Sequence, residues 1–198
     1  MNSLDVAVPF LVCTAISICG CTYFEVCYPN LRISQESPNH YGGAESTLQN
    51  VCILLVLSCL QIPIPSSSAW LWPIAIWYLL AEVWFALSHR LMHSRRLYRF
   101  HKKHHTDTSP PTACDVLNCG VVELFLVNIA TVMIGPVLVP ANYFTMCIWI
   151  AITTSQATLG HSNLIGQSEL HSIHHARCNV NYGTGFYLLD RLLGTFVD

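Results

Sequence analysis

The apolar run from Ala69 to Leu87 passes without a break into SHRLMHSRRLYRFHKKHH, which carries five of the ten histidines and six of the nine Lys and Arg residues. This junction restricts the fold more than any other feature. One half must leave water, and the other must stay at the water's edge. Two patterns lie in the basic half. His89 and His93 form HxxxH, and His101, His104 and His105 form HxxHH. A second HxxHH follows as His171, His174 and His175, with His161 ten residues before it.

On a helix, residues three and four apart share a face, with Cβ atoms about 5–6 Å apart. HxxxH therefore aims two imidazoles at one point. In HxxHH the first His shares a face with both later ones, while the adjacent pair points about 100° apart at 3.6 residues per turn. One ion does not easily take both neighbours, but two ions side by side do. Nine imidazoles in this arrangement suit a two-metal centre, and imidazole-rich sites suit Fe, Zn, Cu or Ni. His40 stands alone and reads as an ordinary surface or core histidine.

The chain has 198 residues, 53% hydrophobic and only 10% charged, with a mean hydropathy of +0.45. That is the composition of a polytopic membrane protein. The concentrated cations mark the cytosolic side of a span. Their tie to that span argues against nucleic acid. Of the ten cysteines, seven lie in or beside apolar runs and three in the expected cytosolic part, so no disulfide framework is expected; no CxxC pair occurs, so no thiolate zinc site is expected either.

Apolar runs cover residues 6–27, 48–64, 69–87, 121–139 and 141–159. A span takes about 20 residues, with about 17–25 the usual range, so 48–64 is short and the count is four or five. The first run lacks Lys and Arg and reads as a membrane helix rather than a secretory signal. Residues 28–46 read as a loop. Pro63, Pro65 and Ser66 to Ser68 turn the second run into the third, and Pro136 and Pro140 end the fourth. The expected fold is all-α and integral to the membrane. Four or five transmembrane helices form hairpins beneath a cytosolic histidine-rich helical cap. Residues 1–83 would hold the N-terminal membrane helices, and 84–198 the catalytic domain with a second membrane hairpin. Phe186 to Leu193 resembles a short amphipathic helix.

Glu82 is the only charge in the third run, seven residues before His89 and eleven before His93. Both offsets return to nearly the same helical face. An intramembrane carboxylate is costly and functional by default. Two readings stay open: Glu82 supports the metal site as an acceptor or occasional ligand, or it sits at the interface bonded to water.

HRLMH, LYRFHKKHH and HSIHHARCNVNYGTGFYLLDRLLGTF resemble the fatty acid hydroxylase/sterol desaturase superfamily of integral membrane oxygenases. The likeness runs from about Trp84 to Phe196. NYG and DRLLGT add weight, because metal ligation alone does not demand them. The resemblance implies a non-haem di-iron centre on the cytosolic face and O2 as co-substrate. It implies cytochrome b5 and an NAD(P)H reductase as electron donors. The endoplasmic reticulum membrane would hold a eukaryotic member, and the inner membrane a bacterial one. His89, His93, His101, His104, His105, His171, His174 and His175 match the motif ligands, and His161 matches a further His before the last motif. The chain departs from the pattern in reading HSNLI after His161, in the short separation of His161 from His171, and in lacking a His-Pro within residues 114–122.

The expected activity is hydroxylation or desaturation of a sterol, fatty acyl, sphingoid or other apolar substrate. An unactivated C–H bond needs an oxidant that no side chain supplies, so the hard chemistry belongs to the metal. An apolar slot among the helices would admit a lipid and exclude water. Three rivals follow from the same residues. Imidazole serves Zn as readily as Fe, which leaves room for a zinc-loaded or inactive member with a binding or structural role. A metal transporter would place its ligands near the bilayer midplane, whereas these flank the runs. A hydrolase would want GxSxG, which is absent.

Overall fold

Long runs of apolar side chains leave the backbone to satisfy its own N–H and C=O groups, and helices do this within one segment. The computed structural model describes residues 3–33, 48–50, 67–105, 111–166 and 168–198, with side chains from residue 8 onward. Its elements are helices: α1 (Ser3–Cys27), α2 (Pro73–Met92), α3 (Tyr98–His101), α4 (Val121–Leu138), α5 (Tyr143–His161), α6 (Glu169–Arg177) and α7 (Leu188–Leu193). No strand occurs among the described residues; Arg32 and Leu164 form an isolated bridge. His40, most of the 48–64 run, Pro63, Pro65 and Ser66 lie outside the described residues.

Val8–Cys27 and α4 are each long and apolar enough to cross a membrane by length and composition. Helices α2 and α5 have similar lengths, 20 and 19 residues, and turn Ile76, Leu79, Leu87, Phe144 and Ile152 outward. Helix α1 packs along α5, and α4 along α2.

Local chemistry sets the ends. Pro73 opens α2, where its missing N–H costs nothing. Asn142 caps α5 through Oδ1, which accepts from Thr145 N at 2.9 Å. Its amide donates to Ala69 O at 2.9 Å, and Ser67 Oγ donates to Pro140 O at 2.8 Å. The α4–α5 turn is thereby sewn to the chain entering α2. Pro136 does not end α4, as its position suggested; it lies inside the helix. Proline removes the N–H that would bond the carbonyl four residues back, here Val132. The Trp149 indole N–H donates to that oxygen at 2.8 Å instead.

Leu124–Ile129 within α4 is a π-helix, a form that often marks a functional site. Trp84 Nε1 donates to Leu126 O in this turn at 3.0 Å. Glu25 is fully buried at the end of α1. Its Oε1 accepts from Ala113 N and Asn163 N, both at 3.1 Å. One carboxylate thus joins α1 to the loops on either side of α4 and α5. Helix α7 is amphipathic in an inverted sense, with Asp190 buried and Leu192 and Leu193 exposed.

Trp77, Ala81, Met146, Trp149 and Ile150 form the main core, with the two indoles edge to face at 5.9 Å. A Cβ on Gly135 would lie 2.7 Å from the Trp77 side chain. Gly135→Ala should therefore overpack this core and cost about 1–3 kcal/mol. An unchanged thermal midpoint in detergent would contradict that packing.

Candidate metal centre

The histidines come from four parts of the chain. His89 lies in the last turn of α2, and His93 is its C-cap. His101 ends α3. The next residues leave the α-helix: His104 N bonds His101 O at 2.9 Å and His105 N bonds Lys102 O at 3.2 Å. His161 ends α5, and His171, His174 and His175 ride on α6. Despite the short connection, His161 and His171 bring their Nε2 atoms to 3.1 Å.

The nine imidazoles gather as two groups. The first holds His89, His93, His101, His105 and His174, and the second holds His104, His161, His171 and His175. Donor atoms within each group lie within 4.8 Å of one another. Every pair four residues apart (His89 and His93, His101 and His105, His171 and His175) serves one group. The middle His of each HxxHH, His104 or His174, crosses to the other. The neighbouring pairs are thus divided, as their angular separation requires.

The tautomers are fixed from outside. A carbonyl only accepts, so a ring nitrogen beside one must donate. His89 Nδ1 donates to Tyr182 O at 2.7 Å, His174 Nδ1 to Val180 O at 2.7 Å, and His161 Nδ1 to Ala157 O at 2.8 Å. His104 Nδ1 reaches Asn118 O at 3.3 Å. In the neutral ring, each Nε2 then carries a lone pair. His104 and His161 point these lone pairs at each other across 3.1 Å, an arrangement that repels unless a cation stands between. Charging the rings instead is opposed by burial. It pushes His89, His104, His171 and His175 well below the ordinary histidine range, His174 to about 4, and His93 and His105 to about 3. The donor set fits metal ions: bonds of about 2.0–2.1 Å meeting near right angles would separate their nitrogens by about 3 Å. The observed Nε2 separations are 2.9–3.1 Å.

The carbonyls that fix His89 and His174 belong to one loop, and buried polar groups hold that loop. Asp190 accepts from Tyr182 N at 2.9 Å and Gly183 N at 2.6 Å. A Cβ on Gly183 would meet Asp190 Oδ2 at 2.8 Å, so the close approach needs glycine. Asn181 adopts a left-handed φ of 52°, and its amide donates to Leu170 O and Val197 O at 3.1 and 2.8 Å. NYG and DRLLGT are therefore two halves of one support.

Glu82 lies outside both histidine groups. It is buried, and its oxygens accept from Leu188 N at 2.8 Å and Phe186 N at 3.3 Å. It holds the same support loop farther along. The carboxylate that touches a histidine is Glu123, whose Oε1 lies 2.8 Å from His101 Nδ1. Sequence reasoning missed Glu123, although the signal was present: it is the only charge in the 121–139 run, the argument that singled out Glu82. The supporting carbonyls had no such signal, since any residue supplies one.

Beneath the histidines lies a cavity of about 140 Å³. His89, His101, His104, His161 and His171 face its head, and Phe10, Val132 and Trp149 are among its walls. The described cysteines are free thiols.

The family model for fatty acid hydroxylases matches residues 74–195, which span every one of these histidines. The chain belongs to the fatty acid hydroxylase family. It is 31% identical over 137 residues to human fatty acid hydroxylase domain-containing protein 2, covering 67% of this chain and 40% of that one. It is 30% identical over 153 residues to methylsterol monooxygenase erg25B of Aspergillus fumigatus, covering 68% of this chain and 51% of that one. It is 24% identical over 153 residues to the very-long-chain aldehyde decarbonylase GL1-11 of Oryza sativa, covering 70% of this chain and 57% of that one. The chain spans about half the length of these curated relatives. No solved structure matches it. For this family member, the support loop gives the NYG and DRLLGT segments a part beside the histidines.

Neutral burial of imidazoles has a sign. Below the ordinary value of 6.5 the unfolded chain takes up protons that the folded one refuses. Stability of the metal-free protein should therefore fall as pH drops through 6.5, and continue to fall to about 4 for His174 and about 3 for His93 and His105. A fully buried histidine costs up to about 1.4 kcal/mol per pH unit in that window, and one with an exposed edge costs less. The check is thermal unfolding in detergent with chelator from pH 8 to 5; a flat profile would refute neutral burial.

Proposed function

We propose that this chain is a metal-dependent oxidoreductase that hydroxylates or desaturates a lipid, with residues 84–198 carrying the centre. The observation that supports it is the convergence of nine histidines in two groups, five of which line an apolar cavity. The names of the relatives, a methylsterol monooxygenase and an aldehyde decarbonylase, favour an apolar substrate of sterol or acyl type. The ligands in this reading are His89, His93, His101, His105 and His174 for one ion, and His104, His161, His171 and His175 for the other. Two iron ions supply the activation of O2 that attack on an unactivated C–H bond requires.

The chain's own residues do the rest. The imidazoles bind the ions without adding negative charge. The carbonyls of Tyr182, Val180, Ala157 and Asn118 keep Nδ1 protonated and Nε2 free. Such outer partners orient the rings and commonly contribute 10–100-fold in metal affinity. Glu123 Oε1, 2.8 Å from His101 Nδ1, is placed to orient that ring as well. The walls of the cavity exclude water from the reacting carbon. Arg90, Arg95, Arg96, Arg99, Lys102 and Lys103 are all exposed beside the centre. They support a cytosolic face and docking of an acidic electron donor such as cytochrome b5 with its NAD(P)H reductase; four or five spans in the endoplasmic reticulum membrane belong to the same proposal.

Metal analysis of the detergent-purified chain should find about two irons, with His105→Ala and His104→Ala each losing about one. Incubated with O2, cytochrome b5, its reductase and NADPH, the iron-loaded protein should convert a sterol or fatty acyl substrate. The product should gain one oxygen or lose two hydrogens, and His174→Ala should abolish it. Two tightly held zincs that resist iron replacement, with no turnover, would favour a binding or structural role instead. Glu123→Gln should lower metal affinity about tenfold while the protein stays folded; unchanged affinity would remove Glu123 from the centre.

A further inference from the structure

Threonines are frequent in the cavity wall, but most have no hydroxyl to spare. Thr131, Thr153, Thr154 and Thr158 each donate to the carbonyl four residues back in their own helix. They turn the wall apolar despite its composition. One group differs. Tyr78 of α2, Gln156 of α5 and Thr184 of the support loop all line the cavity. The Gln156 amide donates to Thr184 Oγ1 at 2.9 Å, and Gln156 Nε2 and the Tyr78 hydroxyl stand together against Gly185. A primary amide has two N–H donors, and a hydroxyl has one hydrogen of its own. With Gln156 donating to Thr184 Oγ1, the Thr184 hydrogen remains to be given away, and the Tyr78 hydroxyl beside it carries a second.

The chain is built to bring these groups together. Gly185 has φ +62°, and a Cβ there would fall 2.1 Å from the Tyr78 hydroxyl and 3.0 Å from Gln156 Nε2. The Phe186 ring packs on that of Tyr78 at 5.4 Å, and Glu82 holds Phe186 N and Leu188 N. The distance to the histidines is short. Thr184 lies two residues beyond Tyr182, whose carbonyl holds His89, so about 7 Å of chain separates them at most. Gln156 lies five residues before His161 on α5, about 7.5 Å along the axis. Thr14 Oγ1, buried without a partner, also lines the cavity. It lies about 16 Å along α1 from Glu25 and offers a single donor.

We propose that Tyr78 and Thr184, set by Gln156, form a two-donor fork that selects lipids bearing an acceptor oxygen several bonds from the carbon that is oxidised. The inference rests on the lipid-oxidising reading and supplies its specificity. The substrate class is an oxygenated lipid (an alcohol, ether or carbonyl compound) rather than a plain hydrocarbon. Hydrocarbon lacks an acceptor and would leave both hydroxyl hydrogens unpaired in the cavity, a desolvation cost that disfavours it.

The test uses the detergent-purified full chain with tritiated dodecan-1-ol as the probe. Unlabelled dodecan-1-ol, 1-methoxydodecane and dodecane compete for it. The alcohol and the ether should compete about tenfold better than the alkane, the effect of two hydrogen bonds of ordinary net strength. The ether matters because it accepts but does not donate. Tyr78→Phe and Thr184→Val should each reduce the preference to about threefold, and together abolish it, with metal content and thermal midpoint unchanged. Equal competition by all three in the wild type, a preference surviving the double variant, or no saturable binding of dodecan-1-ol would overturn the fork. If the double variant does not fold, the single variants decide. The fork is read by binding alone, so it stands or falls apart from the metal reading. Loss of metal or turnover with the preference intact overturns the reaction, whereas two irons with no preference overturn the fork.

Discussion

The structure depends on one electrostatic constraint. Buried imidazoles held neutral, with Nδ1 tied to carbonyls, direct lone pairs at shared points about 3 Å from one another. Left to themselves these lone pairs repel. Protonating a ring would exchange the repulsion for a buried charge, which is costlier still. A cation at each point would reverse the sign of every interaction at once. Nine side chains from four parts of the chain must then be held firmly enough to wait for it. Most of the polar architecture answers that need.

The holding is done by carboxylates that bond the backbone. Glu25 joins the loops beside His104 and His161, Asp190 fixes the strand of chain whose carbonyls orient His89 and His174, and Glu82 clamps the same chain farther on. Each carboxylate is nearly inaccessible to water, yet each receives backbone N–H groups that would otherwise be unsatisfied. A buried polar group with a partner costs little, and one without costs much. Each staple therefore works in both directions, because losing the acid strands the amides. Among the described carboxylates, Glu123 alone sets an oxygen against an imidazole nitrogen. It stands at the head of a π-turn, where an extra residue in the helical turn changes which side chains face inward.

The helical class, the nine histidines and their division were legible in the sequence because helical spacing is local information. His104 and His105, as neighbours, point apart on any helical turn, and they fall in different groups. Even the departure from α-helix at His104 left the division intact, since a tighter turn also separates neighbours. Pro136 was read as a helix end because the sequence shows the missing donor but not Trp149, which arrives from another helix to satisfy Val132. Glu82 was singled out as a charge in an apolar run, correctly as a buried acid, but its partners are amides a hundred residues away. The same rule applied to the 121–139 run would have found Glu123. Carbonyl partners leave no trace in side-chain identity, so Tyr182, Val180, Ala157 and Asn118 had to be seen.

The support loop links the two ends of the cavity. At Tyr182 its carbonyl meets a histidine; two residues later Thr184 meets Gln156; at Phe186 and Leu188 its amides meet Glu82. A displacement that tightened the loop around a bound lipid oxygen would act on the ring of His89 through less than one turn's length of chain. In the proposed reading, recognition of the substrate and orientation of the centre would be carried by one covalent segment. Gly183 and Gly185, which a Cβ would push against Asp190 and Tyr78, are the points at which that segment is allowed to pass so close.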